Sequence, residues 1–127
     1  MAYEYDPQNV FARILRGEIP SKTLRETTHS LAFHDIRPQA PNHVLVVPKG
    51  PYVTWDHFAA EASEAEIADF VRLVAEVSRT EGVAPGEGGS GFRVICNNGD
   101  NAHQEVPHMH VHLLGGRPLG PMLVRKD

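Results

Sequence analysis

Apolar residues follow a helical period at two places along the chain. Val10, Phe11, Ile14 and Leu15 recur at i, i+1, i+4 and i+5, which predicts a short amphipathic helix over 9–17. Gly17 supplies a stop, and Ile19-Pro20 forces an extended exit. Ile67, Phe70, Val71, Val74 and Val77 predict the core-facing side of a longer helix over 63–81. Ser63 and Glu66 are spaced as a capping box at its start, and Gly82 stands at its end. Elsewhere the period is two. Segments 22–26, 31–35 and 43–48 read as strands, and the third is the best marked: Val44, Val46 and Val47 are β-branched, and Pro41 and Pro48 bound it. Segment 37–42 is a turn by composition, and 82–91 is a glycine-rich loop. Two further strands are predicted over 92–97 and 108–114, the last ended by Gly115-Gly116. Two or three helices among about five short strands, with hairpin-length connections, predict an α+β fold on an antiparallel sheet. Trp55 is expected to pack beneath the long helix, and His29, His34 and His57 to face solvent.

Length and composition narrow the class. The 127 residues contain no repeat and no linker, so one domain over 1–127 is expected. Apolar residues make up 41% and charged residues 22%, a globular balance. Twelve Lys and Arg against sixteen Asp and Glu give a net charge of −4, which argues against the nucleic-acid backbone as a partner. No apolar run is long enough for a membrane span. The first residues carry Glu4 and Asp6 rather than a secretory apolar core, and the single Cys96 cannot close an intrachain disulfide. A cytoplasmic protein is therefore expected.

The unusual count is histidine, eight in all. Three of them alternate in His108-Met109-His110-Val111-His112-Leu113-Leu114. In a strand these three share one face, and Met109, Val111 and Leu113 share the other. Same-face neighbours lie roughly 6.8 Å apart, near enough to serve one small ligand. Three readings are open on the spacing alone. The face is simply polar, with imidazoles bonded to neighbours or water. The three rings chelate zinc in a metal-dependent hydrolase, although no carboxylate in the motif is placed to accept the outer N–H of each ligand. Or a neutral imidazole attacks phosphorus while its neighbours donate protons to phosphate oxygens and to a leaving amine.

The segment 108–114 resembles the His-φ-His-φ-His-φ-φ signature of the histidine triad superfamily of nucleotide hydrolases and transferases. Further blocks are similar to its Hint branch: Phe11 through Pro20, Leu31 through Ile36 with Pro38-Gln39-Ala40-Pro41, His43 through Lys49, and Leu114-Gly115-Gly116-Arg117. They appear in order and cover nearly the whole chain, and the ending from Gly116 to Leu123 is similar to bacterial members. The resemblance implies the family's fold and a purine nucleoside phosphoramidase that also hydrolyses aminoacyl-adenylates and related adenosine monophosphate (AMP) conjugates. It implies that His110 is the nucleophile, forming a nucleotidyl-histidine, and that His112 binds phosphate and donates to the leaving group. His108 and His43 would orient the nucleophile and its tautomer. Asp35 would accept from both ribose hydroxyls, Phe11, Ile14, Ile19, Phe33 and Ile36 would wall the base with loose purine choice, and Asn97 and Gln104 would lie near the phosphate. No metal or cofactor is implied. A homodimer is, with Ala68, Arg72, Ala75 and Arg79 as a second face of the long helix. Two positions depart from the family pattern: His103 stands where glycine is usual, and Glu105 where many members carry a serine that serves the leaving group. These departures keep a third possibility in view, a nucleotide-binding adaptor with little turnover. If a protonated imidazole donates while a neutral one attacks, activity should be bell-shaped around neutral pH.

Overall fold

The computed structural model describes residues 3–124. Five strands form one antiparallel sheet: β1 (Thr23–Glu26), β2 (Ser30–His34), β3 (Asn42–Pro48), β4 (Phe92–Ile95) and β5 (Val111–Gly115). Their spatial order is β1-β2-β3-β5-β4. Among the described residues the α-helices are α1 (Val10–Leu15), α2 (Trp55–Glu61) and α3 (Glu64–Thr80). The predicted α+β fold on an antiparallel sheet is the observed one.

The period of two along β3 builds both faces of the molecule. Val44 and Val46 enter one apolar cluster with Phe70, Leu73 and Val77 of α3, whereas Leu45 and Val47 enter a second with Phe11, Leu31 and Phe33. The sheet is therefore covered by α3 on one side and by α1 on the other. Register carries this division to the neighbouring strand: Val46 pairs with Val111 and Leu45 with His112, so His112 faces the α1 side. Met109, Val111 and Leu113 are buried against α3. The predicted alternation of the triad holds, but β5 begins only at Val111, so His108 and His110 lie in the segment that leads into it, His108 at a bend.

Both predicted helices start at their capping residues. The Asn9 side chain accepts from the Ala12 N–H, and Ser63 and Glu66 form the full reciprocal box. The buried line on α3 is Phe70, Leu73 and Val77; Val71, expected inside, is 55% exposed because it falls between the i, i+3 and i+7 positions that face the sheet. Helix α2 carries no long apolar period and was not predicted. Thr54 caps it, and its buried contribution is Phe58, edge-on to Tyr52 and Phe70. This arrangement corrects two expectations. Trp55 opens α2 on its outer side, 46% exposed, rather than packing beneath α3. His57 is buried rather than solvent-facing: its Nδ1 accepts the Val53 N–H at 2.9 Å, and Tyr3 stacks on its ring.

Candidate active site

On the α1 side the sheet leaves a cavity of about 580 Å³. Phe11, Ile14, Ile19, Phe33 and Ile36 supply its apolar wall. Asp35, Asn97, His103, Glu105, His110 and His112 supply the polar side. Phe11 is the hinge between core and cavity. Its ring meets Phe33 at 5.6 Å and His110 at 4.8 Å, both edge-on.

The hydrogen bonds fix where each imidazole carries its proton, because a carbonyl can only accept and a backbone N–H can only donate. His110 Nδ1 lies 2.7 Å from the His108 carbonyl and must donate to it. A neutral His110 thus has an unprotonated Nε2, with no hydrogen-bond partner among the described residues. His43 Nδ1 accepts the Gln39 N–H at 3.0 Å, so a neutral His43 is protonated on Nε2. That nitrogen lies 2.9 Å from His112 Nδ1 and 3.4 Å from Asp35 Oδ2. His112 consequently accepts at Nδ1 and keeps its proton on Nε2. The His110 and His112 rings lie 5.1 Å apart, one offering a lone pair and the other an N–H.

Burial keeps these rings neutral. Desolvation pulls His110 below the ordinary imidazole value, against the opposing pull of the His108 carbonyl, Asp35 and Glu105. His112 is pushed down to about 4, first by desolvation and then by His110 and His43. Desolvation also lowers His43, with Asp35 resisting. His108 does not line the cavity; it is fully buried, and desolvation takes it to about 4. Its Nε2 donates to the Pro48 carbonyl at 2.8 Å, and its Nδ1 accepts the Tyr5 hydroxyl at 2.6 Å. Tyr5 was missed by sequence reasoning, since no local pattern links it to a partner 103 positions away.

The remaining predicted residues divide. Asp35 does turn work with one oxygen, accepting the Arg37 N–H at 2.8 Å, and faces His43 with the other. Gln104, expected beside the phosphate, is not a cavity wall. Its amide oxygen accepts the Gly99 N–H at 2.8 Å, and its nitrogen donates to the Val53 and Val106 carbonyls. Both ends are committed to bracing the 97–104 loop. In that loop His103 is the one non-glycine residue with positive φ among the described residues, at 58°. The loop thus keeps a left-handed turn at the cost of side-chain strain. The His103 ring is exposed at the cavity mouth and lies 2.9 Å from the Glu105 carboxylate. The three triad rings do not converge on an ion site. Among the described residues, the group with ligand atoms within 4.8 Å of one another is Asp35, His43 and His112.

The family model for the HIT domain matches residues 16–119. A purine nucleoside phosphoramidase of Escherichia coli is 40% identical across 94% of this chain and 96% of its own. An uncharacterized 13.2 kDa HIT-like protein of Azospirillum brasilense is 58% identical across 98% of this chain and 99% of its own. The solved structure of a HIT family hydrolase from Legionella pneumophila superposes with a TM-score of 0.76 at 37% identity, covering 87% of this chain and 95% of that one.

Proposed function

The chain belongs to the HIT-domain family, and from that premise we propose that it hydrolyses purine nucleoside phosphoramidates and aminoacyl-adenylate-type conjugates of AMP. The observation that carries the reading is the pairing of two neutral imidazoles on one cavity, His110 with a free Nε2 lone pair and His112 with a free Nε2–H. A nucleophile and a donor coexist there without either ring needing to be charged. The 40% identical phosphoramidase supports the substrate class.

The steps follow from the tautomers. The base lies against Phe11, Ile14, Phe33 and Ile36, the ribose hydroxyls donate to Asp35, and the phosphate sits among His110, His112 and Asn97. His110 Nε2 attacks the α-phosphorus, forming an N–P bond and leaving its ring cationic, with the Nδ1 proton held by the His108 carbonyl. The phosphorus–amine bond breaks with its electron pair on nitrogen. That nitrogen takes its proton from water at the cavity mouth, while the His112 Nε2–H donates a hydrogen bond to a phosphate oxygen and the His43 N–H steadies His112 Nδ1. Water then attacks phosphorus and releases His110, and the proton that this water loses neutralises the hydroxide left by the first step. Glu105, paired with His103, forms the rim that the amine must pass.

A homodimer belongs to the same reading. Strand β4 is the sheet's last strand, with Phe92 and Val94 exposed along it, and Val71 offers an apolar patch on α3. No helix among the described residues is long and apolar enough to cross a membrane. A cytoplasmic working place is in keeping with the free Cys96.

The test is release of AMP and amine from an adenosine phosphoramidate. His110→Ala should abolish turnover and retain AMP binding; undiminished hydrolysis in that variant would end the proposal. A metal-dependent alternative has one observation in its favour, the cluster of Asp35, His43 and His112. A chelator distinguishes it, since turnover should survive metal removal under the mechanism above.

A further inference from the structure

The segment before α1 is strapped onto the back of the site. Tyr3 stacks on the buried His57 ring at 4.9 Å, and its hydroxyl donates to Asp56 at 2.7 Å. At the other end, the Asn9 side chain donates to the Asp6 carbonyl at 2.7 Å while capping α1. Between these anchors the strap delivers the Tyr5 phenol to His108 Nδ1, with the two rings edge-on at 5.6 Å. Tyr5 lines no wall of the nucleotide cavity, and it precedes residue 16, where the match to the family model begins.

We propose that Tyr5 is a positioning residue for the nucleophile: its hydroxyl locks the buried His108 ring, and through the His108 carbonyl sets the direction of the His110 lone pair. The bonds leave each group one role. Pro48 can only accept, so His108 Nε2 carries the proton and Nδ1 needs a donor. With no exposed surface, His108 cannot recruit that donor from bulk water, and the Tyr5 hydroxyl is the one that reaches it. A ring held at both nitrogens holds its own main chain, and the residue-108 carbonyl is the acceptor for His110 Nδ1 at 2.7 Å. A path of two hydrogen bonds, joined through His108 itself, thus runs from the strap to the reacting ring: Tyr5 to His108 Nδ1, and His110 Nδ1 to the His108 carbonyl, with Pro48 holding the other side of the His108 ring. Without the phenol, a buried lone pair is left unsatisfied. The ring then gains by capturing a proton or turning, and either change moves or charges the group behind His110.

The kinetic part of the test rests on the hydrolase reading, and the spectroscopic part does not. Tyr5→Phe keeps the ring's packing and removes only the donor. In the full-length protein, ¹⁵N ring spectra should show the His108 Nδ1 resonance shift from a hydrogen-bonded to a free acceptor. The kcat for an adenosine phosphoramidate should fall about tenfold, the scale of one unsatisfied buried acceptor, with AMP affinity unchanged. Tyr3→Phe removes a hydroxyl from the same strap at Asp56 and should change neither kcat nor the His108 signal. The proposal is overturned if Tyr5→Phe leaves kcat or the His108 signal at wild-type values. It is equally overturned if AMP affinity falls as far as kcat, or if Tyr3→Phe slows turnover to the same extent. Should the wild-type protein itself lack turnover, the hydrolase reading fails alone, and the His108 signal in Tyr5→Phe still decides the role of the phenol.

Discussion

Acid should loosen this fold through His108, by an amount that follows from its burial. The ring is neutral in the folded protein with its pKa pushed down to about 4, whereas in the unfolded chain it titrates near 6.5. The lowered value belongs to a cationic acid, so the unfolded state takes up the proton first as pH falls. Stability contributed by the neutral ring is complete above pH 6.5 and declines as the pH drops toward 4. At pH 4 the unfolded chain is almost fully protonated at this site and the folded one half so. The difference is about 3 kcal/mol, a large fraction of the total stability of a domain this size. Urea denaturation at pH 7 and pH 4 measures it, with His108→Gln as the reference because its amide still offers a donor to the Pro48 carbonyl. That variant is expected to be less stable at pH 7, yet to lose about 3 kcal/mol less than the wild type between the two pH values. Equal losses in the two proteins would show that the acid sensitivity arises elsewhere than at His108.

Other outcomes follow from the same geometry. Because His110 attacks as a neutral ring and His112 hydrogen-bonds as one, kcat/KM should rise from acid to neutral pH and stay level from pH 7 to 9; the bell-shaped profile expected from the sequence would return only if a charged imidazole gave its proton to the amine. Replacing His103 by glycine should stabilise the protein by about 1 kcal/mol in a thermal melt, since a left-handed residue loses its strain and the exposed pair with Glu105 contributes little. A melt unchanged or lowered would show that the pair outweighs the backbone. Val94→Lys on the exposed edge of β4 should convert a dimer to a monomer in sedimentation velocity, and a wild-type protein that is already monomeric would remove the β4 interface from the account.

What could be read from the sequence was what local periodicity controls. Alternation placed His108, His110 and His112 opposite Met109, Val111 and Leu113, and that division survives even though only His112 lies within β5. The capping residues of α1 and α3 were legible for the same reason: a cap and its N–H partner are three residues apart. What was hidden depends on distant partners. Gln104 looks like a phosphate ligand until Val53 claims its amide from 51 positions away. His57 looks exposed until a helix too short to show a period turns it under Tyr3. The proton positions on His43 and His110 come from the Gln39 N–H and the His108 carbonyl, which the spacing of histidines could not reveal. The left-handed turn at His103 shows the reverse case: the sequence departs from glycine there, and the backbone keeps the glycine-like conformation.

The proposed reaction passes through a bond between His110 Nε2 and phosphorus, and that bond can be trapped. Rapid mixing of the protein with an adenosine phosphoramidate, followed by a quench that preserves N–P bonds and peptide mass spectrometry, should find adenylate on His110 and on no other residue. Adenylate on another residue would contradict the account. So would turnover in rapid-quench experiments without any covalent intermediate.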